Sequence, residues 1–262
     1  MEFSVKFENA PGLPENKGPV TVGWFLNSQK AGVIFYPPER FRSTEKNKAH
    51  AKSASRCPAV INMESRYFVF RAPFDLHLQF VRDKDGKAGL RNLNGDLSPV
   101  RANKISQHLH VTSENEWRHP NVPTIQLSLP YVLVADEPVY VTQLAPFMHY
   151  QKDPWPGTIF GGRFPINVWP RPLMWAFEWH DTSKPLKINR GDPLFYVMFE
   201  AATPDRSVAL VETELTKELA DYVDFVSGAV NFVNQTFSLF ERAEEVRPDT
   251  LIKPVKRRKS DD

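Results

Sequence analysis

The stretch FGGRFPINVWPRPLMWAFEWHDTSKPLKINRGDPLFYVMFEA, residues 160–201, decides the fold class that we predict. Residues 173–179 place a leucine, two tryptophans and a phenylalanine at every second position, and that period of two puts them on one face of a strand. Residues 194–199 form a continuous apolar run, which is typical of a strand covered on both faces. Between them, residues 189–193 (NRGDP) predict a turn, because Asn and Gly tolerate positive φ and Pro193 prevents a helix. The stretch therefore predicts a β-hairpin that carries much of the core.

The composition favours a mainly β protein. The 23 prolines outnumber the 12 glycines, so the chain has many breaks and short strands are expected. A formal net charge of +2 is too small to indicate nucleic acid. The single cysteine, Cys57, excludes an intramolecular disulfide and fits a reducing cytoplasm. No apolar run reaches the length that a membrane-spanning helix requires, so no membrane association is expected.

Strand-like patterns recur along residues 1–212, which we interpret as one β domain. The predicted strands outside the central stretch are residues 20–26, 31–36, 66–72, 76–82, 107–112, 124–135, 139–145 and 207–212. With ten or more strands, the expected fold is a mainly antiparallel β-sandwich of jelly-roll or cupin-like type.

The segment that follows, residues 213–245, predicts one long amphipathic helix. It has no proline, and its apolar residues follow a spacing of four and three. Those positions are Leu219, Val223, Val226, Val230, Val233, Phe237 and Phe240. Thr213 is the expected N-cap. The helix packs either on the β domain or on another subunit, and the second alternative predicts a homo-oligomer formed through residues 213–242. Residues 246–262 are expected to be a polar tail.

His108 and His110 are the best candidates for metal ligands. On a strand, residues two apart share a face, so both imidazoles would reach one ion. With Glu114 they give H-x-H-x-x-x-E, which resembles the first metal motif of cupins and implies a 2-His-1-carboxylate site for iron, manganese or zinc. His149 or His180 would supply a third ligand in space. The sequence departs from that motif, since it lacks the flanking glycines and the second cupin motif; the alternative is a solvent-facing histidine pair.

Two further groups of residues are candidates for a site. Glu178, His180 and Asp181 follow one another at the end of the Trp-rich strand, where a carboxylate and an imidazole on one face are suited to acid–base chemistry. The alternative is that they form the polar rim of the sheet. Tyr150, Trp155 and Trp169 are candidates for stacking on a sugar, a base or a peptide proline, although core packing explains a tryptophan equally well.

Four short motifs carry a family resemblance. They are Arg-Cys-Pro-Ala (56–59), Ala-Pro-Phe-Asp-Leu (72–76), Trp-Pro-Arg-Pro-Leu (169–173) and Ile-Asn-Arg-Gly-Asp-Pro-Leu-Phe-Tyr-Val (188–197). In this order they resemble uncharacterised proteins encoded by tailed phages of marine bacteria and cyanobacteria. The resemblance implies a phage-related, β-rich protein in the host cytoplasm or the virion, and it brings no established activity.

Three functional hypotheses follow from these observations. The first is a non-enzymatic binding or assembly protein, which leads because no glycine-rich phosphate loop, nucleophile elbow or paired Cys-x-x-Cys motif is present. The second is a cupin-like, Fe(II)-dependent oxygenase that uses His108 and His110. The third is a module that binds a glycan or small ligand through Trp155 and its loop, with Glu178 nearby; it predicts that Trp155 is exposed.

Overall fold

The computed structural model describes residues 18–27, 33–43, 50, 52–98, 102–203, 206–229 and 236–256, and it is mainly β. The strands are β1 (Val20–Leu26), β2 (Glu39–Arg40), β3 (Tyr67–Arg71), β4 (Leu76–Arg82), β5 (Ala88–Asn92), β6 (Leu109–Val111), β7 (Thr124–Val134), β8 (Val139–Leu144), β9 (Gly157–Ile159), β10 (Arg163–Pro165), β11 (Pro172–Trp179), β12 (Leu186–Ile188), β13 (Pro193–Ala201) and β14 (Val208–Glu212). The helices are α1 (Pro58–Glu64), α2 (Ala102–His108), α3 (Lys217–Ala229) and α4 (Thr236–Glu245).

These strands form three sheets. The six-stranded sheet has the order β14-β1-β7-β11-β9, with β6 also paired to β7. The five-stranded sheet has the order β10-β8-β13-β3-β2, and the three-stranded sheet has the order β12-β4-β5. Strands β1 and β14 run parallel, whereas the other ladders are antiparallel. Antiparallel pairing was the expected arrangement for short, proline-interrupted strands, so this coarse part of the prediction is confirmed.

The inner faces of the sheets share one hydrophobic core. Trp175 and Phe177 of β11 are fully buried in it, and so are Phe195 and Phe199 of β13. Strand β11 has the predicted alternation, because Trp175, Phe177 and Trp179 all point inward. The central stretch therefore carries much of the core, as its apolar pattern indicated.

The predicted hairpin within that stretch is wrong. Strand β11 pairs with β7 and β9, whereas β13 pairs with β3 and β8, so the two lie in different sheets. The turn before β13 does form, with Gly191 at a φ of 88° and the Asn189 N–H donating to Asp192 Oδ2 at 2.8 Å. It leads out of β12, which pairs with β4 of the third sheet. The local signal identified the turn correctly, but not which strands it joins.

Two of the predicted strands also need correction. Residues 33–36 are not a strand, and residues 31–32 lie outside the described part of the chain. The strand expected over residues 107–112 begins only at Leu109, because α2 extends to His108.

Among the described residues, the C-terminal segment forms two short helices, α3 and α4, and the single long helix that was predicted is not shown. Helix α3 begins at Lys217, and Thr216, not Thr213, caps it by accepting the Leu219 N–H at 3.2 Å. The Thr213 hydroxyl instead donates to the carbonyl of Lys253. The expected positions Val230 and Val233 lie outside the described residues.

Helix α3 packs against the outer face of the six-stranded sheet. Its Leu219, Val223 and Val226 are buried in a second cluster with Phe25 and Val132 of that sheet. Leu251 and Ile252 complete the same cluster. At these positions the apolar face of α3 is therefore covered by other residues of the same chain. None of the described helices has the length and apolar character needed to cross a membrane.

Candidate functional site

The structure does not place the predicted metal ligands on one strand face. His108 is the last residue of α2, whereas His110 lies in β6, and both are exposed. His149 follows β8 and His180 directly follows β11. Within the described ranges, no three His, Cys, Asp or Glu side chains form a group that could hold a metal ion. Metal binding thus remains a prediction, but the strand argument for it is wrong for His108.

Glu114, the carboxylate of the cupin-like motif, is engaged in another contact. It forms an ion pair with Arg82, and both side chains are largely exposed. The Arg82 guanidinium also lies 5.6 Å from the ring centre of Trp117. The carboxylate thus has a cationic partner in the structure.

Glu178 is the centre of a charged cluster on the outer face of the six-stranded sheet. Its side chain is only 2% exposed and accepts two hydrogen bonds from Arg118, at 2.8 Å from Nε and 2.7 Å from Nη2. The His180 Nε2 atom lies 3.8 Å from Glu178 Oε2. The Arg118 guanidinium also lies 5.3 Å from the exposed ring of Phe160. The structure brings Glu178 and His180 together, as predicted, and adds an arginine that the sequence did not indicate.

The electrostatics of this cluster favour a structural ion pair between Arg118 and Glu178 over a site for proton transfer. The hydrogen bonds from Arg118 hold the pKa of Glu178 below its usual range, and the nearby imidazoles of His180 and His119 act in the same direction. A carboxylate with a lowered pKa is a weak base, and in its ionised form it has no proton to donate as an acid. The third predicted member, Asp181, is engaged separately with Ser183 and Lys184.

Both tryptophan candidates pack against other aromatic side chains. Trp155 is half-buried and meets Trp175 edge-to-face at 6.0 Å, which anchors its loop to the core. Trp169 is also half-buried and packs against Phe164 at 5.7 Å and Phe240 at 5.4 Å. Trp155 is therefore less available to a ligand than the third hypothesis required.

Tyr150 differs from both tryptophans, since it is 89% exposed on the loop after β8. Single exposed aromatic residues are common at protein surfaces. Tyr150 alone therefore does not define a site.

A second candidate surface lies on the outer face of the five-stranded sheet, and we call it the outer-face patch. Its members come from β3, β8, β13 and the loop after β8: Tyr67, Tyr140, Leu144, Phe147, Tyr196 and Met198. The strand register places Leu144 beside Tyr196 and Tyr67 beside Met198. The ring of Phe147 lies over this face, 6.1 Å from Tyr67 and 5.4 Å from Tyr196, and is 55% exposed.

Ion pairs border the outer-face patch on two sides. Arg163 pairs with Glu200 at 2.6 Å, and its guanidinium lies 3.8 Å from the ring centre of Tyr140. On the side of β2 and β3, Arg71 pairs with Glu39 at 2.9 Å. Each border thus presents one cation and one anion around an uncharged centre. No local sequence pattern marks this surface as a whole, because its members are separated by up to half of the chain.

Neither a protein-family model, nor a curated protein, nor a solved structure significantly matches this chain. The resemblance to tailed-phage proteins accordingly stays a prediction.

Proposed function

We propose that the protein is a non-enzymatic binding or assembly protein, and that it associates with a second copy of itself through the outer-face patch. The observation that carries this proposal is the unequal cover of the two main sheets. Helix α3 covers part of the outer face of the six-stranded sheet. Among the described residues, Phe41, Met63 and Phe147 cover the five-stranded sheet around Val69 and Tyr196, whereas Tyr140, Phe147 and Met198 keep part of their own surface exposed.

The apolar run in β13 supports an interface on this face. Residues 194–199 have the composition of a strand that is buried on both faces. Phe195, Val197 and Phe199 supply the inner face. On the outer face Tyr196 is buried by the chain itself, whereas Met198 is partly exposed. A partly exposed apolar face bordered by polar groups is the usual anatomy of a protein–protein contact.

The charges around the patch are compatible with self-association. A two-fold axis brings the same patch of both copies together, so the surface must complement itself. Because each border carries an arginine and a glutamate, a cation of one copy can meet an anion of the other. An uncharged centre adds no repulsion between the copies.

The finer assignments belong to this proposal. They are a jelly-roll or cupin-like sandwich, a phage origin, and a location in the host cytoplasm or the virion; the mainly antiparallel strands around one core support the first of them. Association through residues 213–242 has less support than the patch, because Leu219, Val223 and Val226 face the chain's own sheet.

Phe147→Ser tests the proposal, and Tyr150→Ser is the matched control on the same loop. We expect the wild-type chain to be a dimer by sedimentation velocity at about 100 µM, which a dissociation constant near 1 µM would ensure. Phe147→Ser should be a monomer with an unchanged circular dichroism spectrum, whereas Tyr150→Ser should remain a dimer. A wild-type monomer at that concentration, or equal masses for all three proteins, would overturn the proposal.

A further inference from the structure

A cleft of about 520 Å³ lies between helix α3 and the end of α4 with the segment that follows it. One wall is a single stripe of α3, formed by Glu218, Asp221, Tyr222 and Phe225, which recur at helical spacing. The opposite wall is residues 245–249. Its volume lies within the roughly 300–1,000 Å³ typical of ligand-binding clefts.

The cleft has an apolar centre. The Tyr222 ring is buried, with its hydroxyl donating to the carbonyl of Val168 at 2.8 Å. Phe225 is 36% exposed and Val246 is 43% exposed, so both still present apolar surface to an incoming group. One apolar side chain of a partner would be desolvated between them.

The rim of the cleft is acidic. It carries Glu218 and Asp221 on one wall and Glu245 and Asp249 on the other. In the part of the chain that the structure describes, only Glu245 of these four has an ion-pair partner, the exposed Arg242. Exposed pairs of this kind neutralise little of the field around them.

The cation in the lining is turned away from this rim. Arg247 donates to the backbone carbonyls of Asn167 at 2.6 Å, Asp136 at 2.9 Å and Ala135 at 3.2 Å. It therefore fixes the wall to the β domain, and the rim keeps its negative charge.

We infer that this cleft binds a short basic segment of a partner protein, in which one apolar residue is flanked by lysine or arginine. The apolar residue seats against Phe225 and Val246, and the flanking cations meet Glu218, Asp221 and Asp249. Charge complementarity identifies the occupant, because an apolar centre alone would accept many ligands. The inference is independent of the outer-face patch, which lies on the other main sheet.

The test uses a fluorescein-labelled peptide, Ala-Lys-Lys-Leu-Lys-Arg-Lys-Ala, and its analogue with glutamate at every basic position. Fluorescence anisotropy with the full chain should show saturable binding of the basic peptide alone. The double variant Glu218→Gln/Asp221→Asn should weaken binding at least about tenfold, or roughly 1.4 kcal/mol. Its matched control is Glu214→Gln/Asp224→Asn, which removes two acidic side chains near or on the same helix and outside the cleft lining; binding should change less than about twofold.

Three results would overturn the inference. The first is the absence of saturable binding, and the second is an equal loss in both double variants, which would indicate attraction to the general surface charge. The third concerns the chain's own basic residues. If Arg257→Glu/Arg258→Glu tightened peptide binding in the full chain, the occupant would be this chain's C-terminal segment and not a partner.

Discussion

Replacing Leu219 by alanine measures how much the contact between α3 and the six-stranded sheet stabilises a single chain. Leu219 is 2% exposed and packs with Phe25 and Val132. At about 0.8 kcal/mol per methylene, the lost part of the side chain accounts for about 2.4 kcal/mol. The cavity left behind raises the expected loss to about 3–4 kcal/mol, within the range of buried leucine truncations.

The matched control is Leu215→Ala, the same chemical change at a residue just before α3, whose side chain is 44% exposed. We expect it to cost less than about 1 kcal/mol. In urea, with a slope near 3 kcal/mol/M, Leu219→Ala should lower the unfolding midpoint by about 1 M.

Protein concentration separates the two packing alternatives for the helix. If Leu219 lies within the chain, the free-energy difference between Leu219→Ala and wild type is the same at low and high protein concentration. If it lies between copies, a tenfold change in concentration alters the stability of the assembly by about 1.4 kcal/mol. Equal costs for Leu219→Ala and Leu215→Ala, or a cost that varies with concentration, would refute the intramolecular packing.

Three further predictions concern other parts of the molecule. Because the pKa of Glu178 is depressed in the folded state, its ionised form stabilises the fold at pH values above its usual pKa. The loss of stability in Glu178→Gln, measured by urea unfolding, should therefore be largest near about pH 7. It should shrink as the pH falls through the folded-state pKa. Gly157→Ala should cost about 1–3 kcal/mol in the same assay, since its Cβ would lie 1.9 Å from the Glu178 carbonyl oxygen, whereas Gly162→Ala, with no atom within 4 Å, should cost less. If the cupin-like hypothesis holds, elemental analysis of the purified protein should find about one equivalent of iron, manganese or zinc that His108→Ala/His110→Ala loses; no metal after Fe(II) loading would contradict it.

The strands could be predicted where alternation and burial agree. Strand β7 was expected over residues 124–135 and occupies Thr124–Val134. Its apolar residues alternate at first and become continuous at residues 131–134, because Val132 and Val134 meet α3 while their neighbours face the core. The change in pattern thus reflects the packing of α3 on the outer face of β7. That contact could be inferred only once the position of the helix was known.

The pairing of strands and the grouping of site residues were harder to predict from the sequence. The turn at residues 189–193 forms, but β11 and β13 find partners far along the chain, and local turn chemistry does not specify these. In the same way, Glu178 and His180 could be grouped because they are neighbours in sequence. Arg118 could not, since it reaches Glu178 from a separate segment before β7.

The parallel pairing of β1 with β14 has a consequence for the order of folding. Val20, near the start of the described chain, has Val208 as its neighbour, so this ladder closes only after nearly every other strand has been synthesised. At roughly 5–20 residues per second, a ribosome needs several seconds to pass from β7 to β14. During that time one edge of β1 has open backbone hydrogen-bonding groups, which attract other chains. Sequence-distant ladders also slow folding itself. The nascent protein therefore has a defined interval in which a chaperone would raise its yield.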